Sequence, residues 1–344
     1  MKKDAAIKPM VIAVWTLVAL CVVFTCLVLY TQVFRRDAPP PTPTPTPKHP
    51  KREFGRSASD LRNCFRESLK GCDKIVVRAL AGVGPYAVLG ADNRWTGLDI
   101  ELAQVIAQEI FADGGSIDAS KLQFVRANTP AERLQLQANI DVDFSVGAIT
   151  DDVSSGAGSR RATYNVDFVR SHALDTYSIA LMAGAWPAAP AEFCSPAFAD
   201  LRNTIVELQD ATGTYEKYRT LCPPIVGSRR VPKVLSADSK PTSVPAAIEG
   251  LGTLDRSFLM LDSAVLIYGG QGNKALTLLR NKSGAPSNWQ KIGFVVRRDE
   301  GGWKQLIEES LEKARASGRL EPICQQYQRF FVEDKLLICN KSWS

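Results

Sequence analysis

The sequence predicts an α/β fold, with helices on both faces of a sheet, behind a single N-terminal transmembrane helix. Two observations predict it: an apolar run without charges lies near the start of the 344-residue chain, and strand and helix patterns then alternate in a βαβαβ order. The body that follows has roughly 290 residues, which is enough for one large core or for two lobes.

The transmembrane helix is predicted at residues 10–34, after a short cytoplasmic tail of residues 1–9. No charged side chain occurs from Pro9 to Phe34, and this run is long enough to cross a bilayer as one helix. A cleaved signal peptide is the alternative, but its apolar region would have roughly 7 to 15 residues followed by small residues. We therefore interpret the segment as an uncleaved anchor.

Residues 35–52 are predicted to form a stalk. Seven of the thirteen residues from Ala38 to Pro50 are proline, which favours an extended polyproline II segment about 40 Å long at about 3.1 Å per residue. A ligand for proline-reading domains is the alternative interpretation.

The net charge of +6 also belongs to the N-terminal part of the chain. The first 52 residues hold eight of the 42 basic residues and two of the 36 acidic ones, so charges balance in the body. This balance argues against a nucleic-acid partner. Arg35 and Arg36 suit anionic lipid headgroups at the membrane surface.

Cysteine usage indicates that the body lies in an oxidising compartment. Two of the eight cysteines fall in the predicted span, and the remaining six are Cys64, Cys72, Cys194, Cys222, Cys324 and Cys339. No CxxC motif occurs and the chain has two histidines, so we predict no metal site and no cofactor. Three disulfides are expected, with fifteen possible pairings. Unpaired buried thiols in a cytosolic protein are the alternative.

The elements of the body follow from hydrophobic periodicity. Strands are predicted at Lys74–Leu80, Leu122–Val125, Val142–Ile149 and Ile292–Val296. Helices are predicted at Leu98–Phe111, Pro130–Ala138 and Trp303–Ala316, the last ending before Gly318.

Five segments, in one order, carry a family resemblance over residues 73–330. They read GPYAVLGADNRWTGLDIELAQVIAQEIF, then TPAERLQLQANIDVDFSVGAIT with RRATYNVDF, LQDATGTYEKYRT, LDSAVLIY and KIGFVVRRDEGGWKQLIEESLEKARASGRLEPICQQY. Together they resemble type II periplasmic solute-binding proteins (extracellular solute-binding protein family 3). The resemblance implies a two-lobed venus-flytrap fold with two crossing strands. Lobe 1 is expected at residues 53–170 plus 297–344 and lobe 2 at residues 171–296.

The resemblance also implies how a bound amino acid would be held. Asp262, which follows an apolar strand at the start of a helix, is expected to bind the ammonium group; a plain N-cap is the alternative role. Arg161, with Arg160 beside it, is expected to bind the carboxylate. The family spaces its threonine and arginine three apart, whereas Thr150 and Arg161 are separated by the inserted DDVSSGAGSR, whose Gly/Ser content suggests a flexible flap.

Four further residues are expected at the ligand. Thr150 would offer its hydroxyl and N–H to the carboxylate, and Gly213 with Thr214 would open a lobe 2 helix whose N–H groups bind the same anion. Tyr86, after Pro85, would lay its ring along the aliphatic part of the ligand. The alternative roles are a strand cap for Thr150 and a helix cap or first-turn residue for Thr214.

The function implied is a membrane-anchored receptor that captures an amino acid or similar small polar solute by lobe closure. An ABC transporter permease or a membrane signalling protein would be its partner. The body would lie in the periplasm, on a single span in the inner membrane. Two alternative hypotheses remain: a dehydratase that acts on cyclic amino-acid precursors, and a scaffold that retains the fold but binds no ligand.

Five further polar residues are expected either to act in the dehydratase alternative or to stabilise the fold. A dehydratase would need a carboxylic acid at the leaving hydroxyl, for which Glu132, Asp151 and Asp152 are candidates. Asp99 is expected to cap the first helix of the body, and His172 is expected to be structural.

Overall fold

The computed structural model describes much of the body of the protein. The described residues are 57–69, 71–138, 141–151, 159–182, 204–206, 233–234, 244–251, 253, 257–271, 273, 275–280, 290–331 and 336–340. Within these ranges, no helix combines the length and apolar character needed to cross a membrane. The predicted anchor at residues 10–34 and the stalk at residues 35–52 lie outside them.

Strands and helices alternate along the described residues, as the sequence predicts. The strands are β1 Ile75–Leu80, β2 Val88–Leu89, β3 Trp95–Thr96, β4 Leu122–Ala127, β5 Phe144–Val146, β6 Thr150–Asp151, β7 Val166–Phe168, β8 Ala173–Asp175, β9 Tyr177–Met182, β10 Thr204–Val206, β11 Lys233–Val234, β12 Ser257–Asp262, β13 Leu276–Arg280, β14 Gln290–Ile292 and β15 Val295–Arg297. The α-helices are α1 Ala58–Arg66, α2 Leu98–Ala112, α3 Arg160–Tyr164, α4 Val244–Leu251, α5 Ser263–Gly269, α6 Gly301–Ala316 and α7 Glu321–Tyr327.

The first sheet has the strand order β4-β1-β5-β15-β7 and defines lobe 1. β1 is parallel to β4 and to β5, whereas β15 runs antiparallel to β5 and β7. All six residues of β1 are buried, as expected for a central strand covered on both faces. The carboxyl ends of β1, β4 and β5 therefore meet at one edge of this sheet.

Helices α1, α2 and α6 pack together in lobe 1 around aromatic contacts. The ring of Phe65 meets Phe111 and Trp303 edge-on at centroid distances of 5.3 and 5.4 Å. The buried residues of α6 include Trp303, Leu306, Ser310, Leu311 and Ala314, which recur at helical spacing. Helix α1 was not predicted; it begins with a capping box between Ser57 and Asp60.

The second sheet has the order β11-β10-β12-β9-β13 and defines lobe 2. β10 is parallel to β11 and β12, and β9 pairs antiparallel with β12 and β13. β12, SFLMLD, is buried over its first four residues and delivers Asp262 to the start of α5. This is the strand-to-helix step that the sequence predicts.

A three-stranded antiparallel sheet, β6-β14-β8, connects the lobes. β8 carries the chain from the first sheet toward the second and β14 carries it back, so these are the two crossing strands; we call this sheet the hinge. The predicted strand Ile292–Val296 is in fact divided between β14 and β15. The break is at Gly293, where a Cβ atom would lie 2.9 Å from the carbonyl oxygen of Val169.

The segment from Pro130 to Ala138 differs from the predicted helix, because only Glu132–Leu134 form a single 3-10 turn. The guanidinium of Arg297, on β15, donates to the carbonyl oxygens of Leu136 at 3.0 Å and Val142 at 2.7 Å. These bonds satisfy two carbonyl groups that the segment does not pair internally. Tertiary contacts thus fix the conformation of the segment.

Two disulfides occur in the described residues: Cys64–Cys72 and Cys324–Cys339. They confirm the disulfide prediction for four of its six cysteines, whereas Cys194 and Cys222 lie outside the described residues. The second bond ties α7 to the 3-10 turn Leu337–Cys339, and in this turn the N–H of Ile338 donates to the carbonyl of His172 at 3.0 Å. The disulfide therefore holds the C-terminal turn against the hinge.

Candidate functional site

The register of the hinge separates its side chains into two faces. Gln290 pairs with Asp175, Ile292 pairs with Thr150, and Lys291 pairs with Asp151. Since neighbouring residues of a strand point to opposite faces, Thr150, Asp175 and Gln290 share one face while Asp151 and Lys291 share the other. We call these the cleft face and the back face.

Asp262 meets the cleft face through Gln290. The Gln290 Nε2 atom donates to Asp262 Oδ1 at 2.8 Å, and Gln290 Oε1 accepts from Thr150 Oγ1 at 3.0 Å and Tyr177 OH at 2.9 Å. Asp262 occupies the N-cap position of α5, yet its side chain makes no capping hydrogen bond. No other donor among the described residues reaches this carboxylate, so its second oxygen can accept a hydrogen bond from a ligand.

Asp175, rather than Asp262, accepts a hydrogen bond from the backbone at the start of α5. Its carboxylate accepts from the N–H groups of Thr176, at 2.8 Å, and Ala264, at 3.3 Å, and from the hydroxyl of Tyr86 at 2.7 Å. Burial, followed by the negative charge of Asp262, raises the pKa of Asp175 to about 8. Asp175 therefore ionises less readily than an exposed aspartate and its oxygens are already bonded within the protein, whereas Asp262 has an oxygen that can face a ligand.

Replacing Asp175 with asparagine should reduce the pH dependence of stability. Because the folded-state pKa of about 8 lies above the ordinary value of 3.8, the native state binds more protons than the unfolded state between about pH 4 and pH 8. This group therefore lowers the free energy of unfolding as pH rises through that window, by at most about 1.4 kcal/mol per pH unit. Urea unfolding of Asp175→Asn and of the wild type at several pH values measures the difference. An equal slope for both proteins would contradict the assignment.

Two arginines lie on the lobe 1 side of the cleft. Arg160, the first residue of α3, donates from one terminal nitrogen to the carbonyl oxygen of Thr150 at 3.0 Å. Arg133 is 7% exposed and donates to the carbonyl oxygen of Gly147, just beyond β5. Burial and the charge of Arg160 lower the pKa of Arg133 to about 10, while the charge of Asp262 opposes that shift. Arg133, Arg160 and Asp262 thus form one electrostatic group.

Arg161 lies on the other face, which differs from its predicted position. Its guanidinium binds both oxygens of Asp151, at 3.0 and 2.8 Å, and donates to Asp167 at 2.6 Å. Hydrogen bonding to Asp151 raises its pKa. It lines a cavity of about 450 Å³ together with Lys291, Arg170 and Lys304. The two adjacent arginines thus bond different groups of β6: Arg160 bonds the main-chain carbonyl of Thr150, and Arg161 bonds the side chain of Asp151.

Tyr86 also differs from its predicted position. Its side chain is fully buried, it packs edge-on against Phe331 at a centroid distance of 5.7 Å, and its hydroxyl bonds Asp175. Burial raises its pKa well above the ordinary range. In this conformation Tyr86 braces the loop after β1 against the hinge and offers no surface to a ligand.

The remaining predicted residues have mixed outcomes. Thr150 lies at the cleft face, whereas Gly213, Thr214 and residues 152–158 of the predicted flap lie outside the described residues. Asp99 is not a helix cap: its carboxylate is buried and accepts from the N–H groups of Gly147 and Ala148 and from His172, at 2.8 Å. His172 is fully buried against Phe294, at a centroid distance of 4.8 Å, as expected for a structural residue.

Sequence reasoning missed three residues of this site: Gln290, Asp175 and Arg133. Asp175 is the last residue of β8 and Gln290 is the first residue of β14, the two crossing strands. Ligands of α/β proteins bind where the order of strands reverses, and this position is the signal that could have indicated both residues. Arg133 has no such signal, because its segment was predicted to be an ordinary short helix. Its burial depends on contacts with β5 that the sequence does not display.

Comparisons with known proteins confirm the fold. No protein-family model and no curated protein matches the sequence. Among solved structures, the cysteine-binding protein from Campylobacter jejuni is similar at a TM-score of 0.57 with 18% identity, covering 80% of this chain and 95% of that one. An ancestral amino-acid-binding protein, described as a precursor of cyclohexadienyl dehydratase, gives 0.56 with 16% identity, covering 78% and 99%.

A third solved structure shows a slightly lower similarity. It is the periplasmic binding protein from Salmonella typhimurium with high arginine specificity, at a TM-score of 0.54 with 17% identity, covering 74% of this chain and 98% of that one. The chain thus has the two-lobed α/β fold of type II periplasmic amino-acid-binding proteins. This confirms the expected resemblance at the level of fold.

Proposed function

We propose that this protein captures an amino acid or a similar small polar solute between its two lobes. The observation that carries the proposal is that two charged side chains lie on opposite sides of the hinge. On lobe 2 is Asp262, whose carboxylate makes no capping bond to α5, and on lobe 1 is the guanidinium of Arg160. Asp262 and Arg160 are each anchored by one hydrogen bond, through Gln290 and Thr150 respectively. The structural neighbours named above, which bind cysteine, arginine or other amino acids, support the same class of ligand.

The chemistry of the cleft suits the two charged groups of an amino acid. An ammonium group would donate to the free oxygen of Asp262, and the carboxylate would accept from the free N–H groups of Arg160. The Gln290 side chain holds both Thr150 and Asp262, so it links lobe 1 to lobe 2 at the ligand. A ligand that contacts both lobes would favour the closed state in proportion to those extra contacts.

The cellular setting is a further part of the proposal. Residues 10–34 would anchor the chain in the inner membrane, and the stalk at residues 35–52 would hold the body in the periplasm. The disulfides Cys64–Cys72 and Cys324–Cys339 support an oxidising compartment. The protein would then deliver the bound solute to an ABC transporter permease, or report that it is occupied to a membrane signalling protein.

An enzyme of the dehydratase class receives less support. Glu132 accepts from both nitrogens of Asn128, and Asp151 is held by Arg161. Burial raises the pKa of Asp175, as a general acid would need, but its oxygens bond Tyr86 and backbone N–H groups. Glu132, Asp151 and Asp175 are therefore bonded to other groups of the protein, and the third predicted acid, Asp152, lies outside the described residues.

The two adjacent arginines give a direct comparison. Arg160→Gln should weaken binding of an amino acid by about 10-fold or more, because a charge-assisted hydrogen bond to the ligand carboxylate is lost. Arg161→Gln should leave affinity within about threefold, since Arg161 bonds Asp151 and Asp167 on the back face. Calorimetric titration of both variants measures this. A larger loss in Arg161→Gln would restore Arg161 as the anchor and contradict the assignment to Arg160.

Thermal melting of the full chain against amino acids, polyamines, carboxylates and cyclic precursors tests the proposal as a whole. A ligand that binds the folded state alone raises the melting temperature in a concentration-dependent way. We expect a saturable shift with amino acids. A shift confined to cyclic precursors, together with their conversion, would support the dehydratase, and no shift with any compound would support the scaffold.

A further inference from the structure

Arg133 is a buried cation with unused hydrogen-bonding capacity. It lies in the 3-10 turn that follows β4, at the edge of the first sheet where the parallel strands β1, β4 and β5 end. Ligands of α/β sheets bind outside these carboxyl ends. Arg133 is 7% exposed, and its Nε atom has no hydrogen-bond partner among the described residues. A buried donor without a partner is rare in folded proteins, so the Nε atom of Arg133 calls for an acceptor from outside the described residues.

The acceptors near Arg133 are already committed to the protein. Asp99 interacts with it electrostatically, but the Asp99 oxygens bond the N–H groups of Gly147 and Ala148 and the ring of His172. Asp175 is likewise occupied, by Tyr86 and by two backbone N–H groups. Neither carboxylate supplies an acceptor for the Nε atom of Arg133.

Donors therefore outnumber acceptors at the cleft. Arg160 uses one nitrogen on the Thr150 carbonyl, and its other N–H groups have no acceptor within the part of the chain that the structure describes. Arg133 adds a second cation with a spare donor. Against these two guanidinium groups stands one available carboxylate oxygen, on Asp262. A ligand with one carboxylate would satisfy Arg160 and leave the Nε donor of Arg133 without a partner.

We infer that the ligand carries a second carboxylate and is an acidic amino acid of the aspartate or glutamate type. This inference rests on the proposed function. The ammonium group would bind Asp262, one carboxylate would bind Arg160 and the other would bind Arg133. A ligand with a cationic side chain would instead meet two like charges, and a neutral amide would present Arg133 with a weaker, uncharged acceptor.

The test compares L-glutamate and L-aspartate with L-glutamine, L-asparagine and L-arginine by calorimetric titration of the wild-type full chain. We expect at least one acidic amino acid to bind about 10- to 100-fold more tightly than its amide, because a charge-assisted bond is exchanged for a neutral one. This comparison requires no mutation, so it does not depend on whether a variant folds.

Substitutions of Arg133 test whether this residue causes the preference for an acidic amino acid over its amide. Arg133→Gln should reduce affinity for the acidic ligand to that for its amide, and affinity for the amide should change by less than about threefold. Arg133→Lys, which retains the charge, should preserve part of the preference. Arg161→Gln is the matched control on the back face and should retain the full preference. Thermal melting without ligand verifies that each variant is folded.

The outcomes separate this inference from the function on which it rests. Equal or tighter binding of L-glutamine or L-arginine would overturn the acidic ligand while supporting an amino-acid receptor. An undiminished acid preference in folded Arg133→Gln would overturn the role of Arg133. Absence of saturable binding by all five amino acids would overturn both proposals.

Discussion

Replacing Asp262 with alanine is expected to weaken the binding of amine-bearing ligands by about 10- to 150-fold, because a charge-assisted hydrogen bond is lost. The loss should fall on ligands with an ammonium group and be smaller for analogues in which that group is absent. Folding should be unaffected, since the Asp262 side chain makes no capping bond to α5 and Asp175 bonds the N–H of Ala264 instead. Calorimetric titration measures the affinity.

Asp151→Asn is the matched control for this variant. Asp151 is also an aspartate of the hinge region, but it lies on the back face and bonds Arg161. Its substitution should leave ligand affinity within about threefold. Unchanged affinity in Asp262→Ala, with a normal melting temperature, would show that lobe 2 uses another group for the ammonium.

Removal of the disulfide between Cys324 and Cys339 should produce the largest loss of stability. The bond closes a segment with a sequence separation of 15, for which chain entropy gives about 3 kcal/mol. The C-terminal turn that it fixes also bonds the hinge through Ile338 and His172. We expect the double variant Cys324→Ser, Cys339→Ser to melt about 6 to 12 °C lower than the wild type.

The bond between Cys64 and Cys72 provides the comparison, because its sequence separation is 8 and a shorter loop yields less stabilisation. Its removal should lower the melting temperature by less. Intact-mass analysis after alkylation without reductant verifies that both bonds exist in the purified protein. Alkylation of these four cysteines in the folded wild type would contradict the oxidised state.

Much of the fold could be predicted because, in many segments, the secondary structure that the local sequence favours is the one that the tertiary structure requires. β1 is a β-branched run at the centre of a sheet, and α6 has its buried residues at helical spacing. The prediction failed where distant groups decide the backbone. The segment from Pro130 to Ala138 is held by Arg297, and Gly293 breaks a strand because Val169 lies against it.

The site was less predictable because it depends on which face each side chain occupies. Asp262 could be located, since an apolar strand leading into a helix presents its last residue at a sheet edge. The contacts of Arg160 and Arg161 could not be predicted, because the insertion before them hides which one reaches the main chain of Thr150 and which one reaches the side chain of Asp151. Gln290 acquires its role through a contact with Thr150, which is 140 residues away in the sequence, and Arg133 through a contact with Gly147 beyond the next strand.

The most direct test of the central claim is the distance between the lobes during ligand titration. Fluorophores introduced at the exposed residues Asp92, in lobe 1, and Asn273, in lobe 2, would report closure by energy transfer in the full chain. With a saturating amino acid, a population with a shorter distance should appear in the wild type. At a ligand concentration near the wild-type dissociation constant, this population should be much smaller in Asp262→Ala than in the wild type. An unchanged distance in the wild type at saturation would contradict capture by lobe closure.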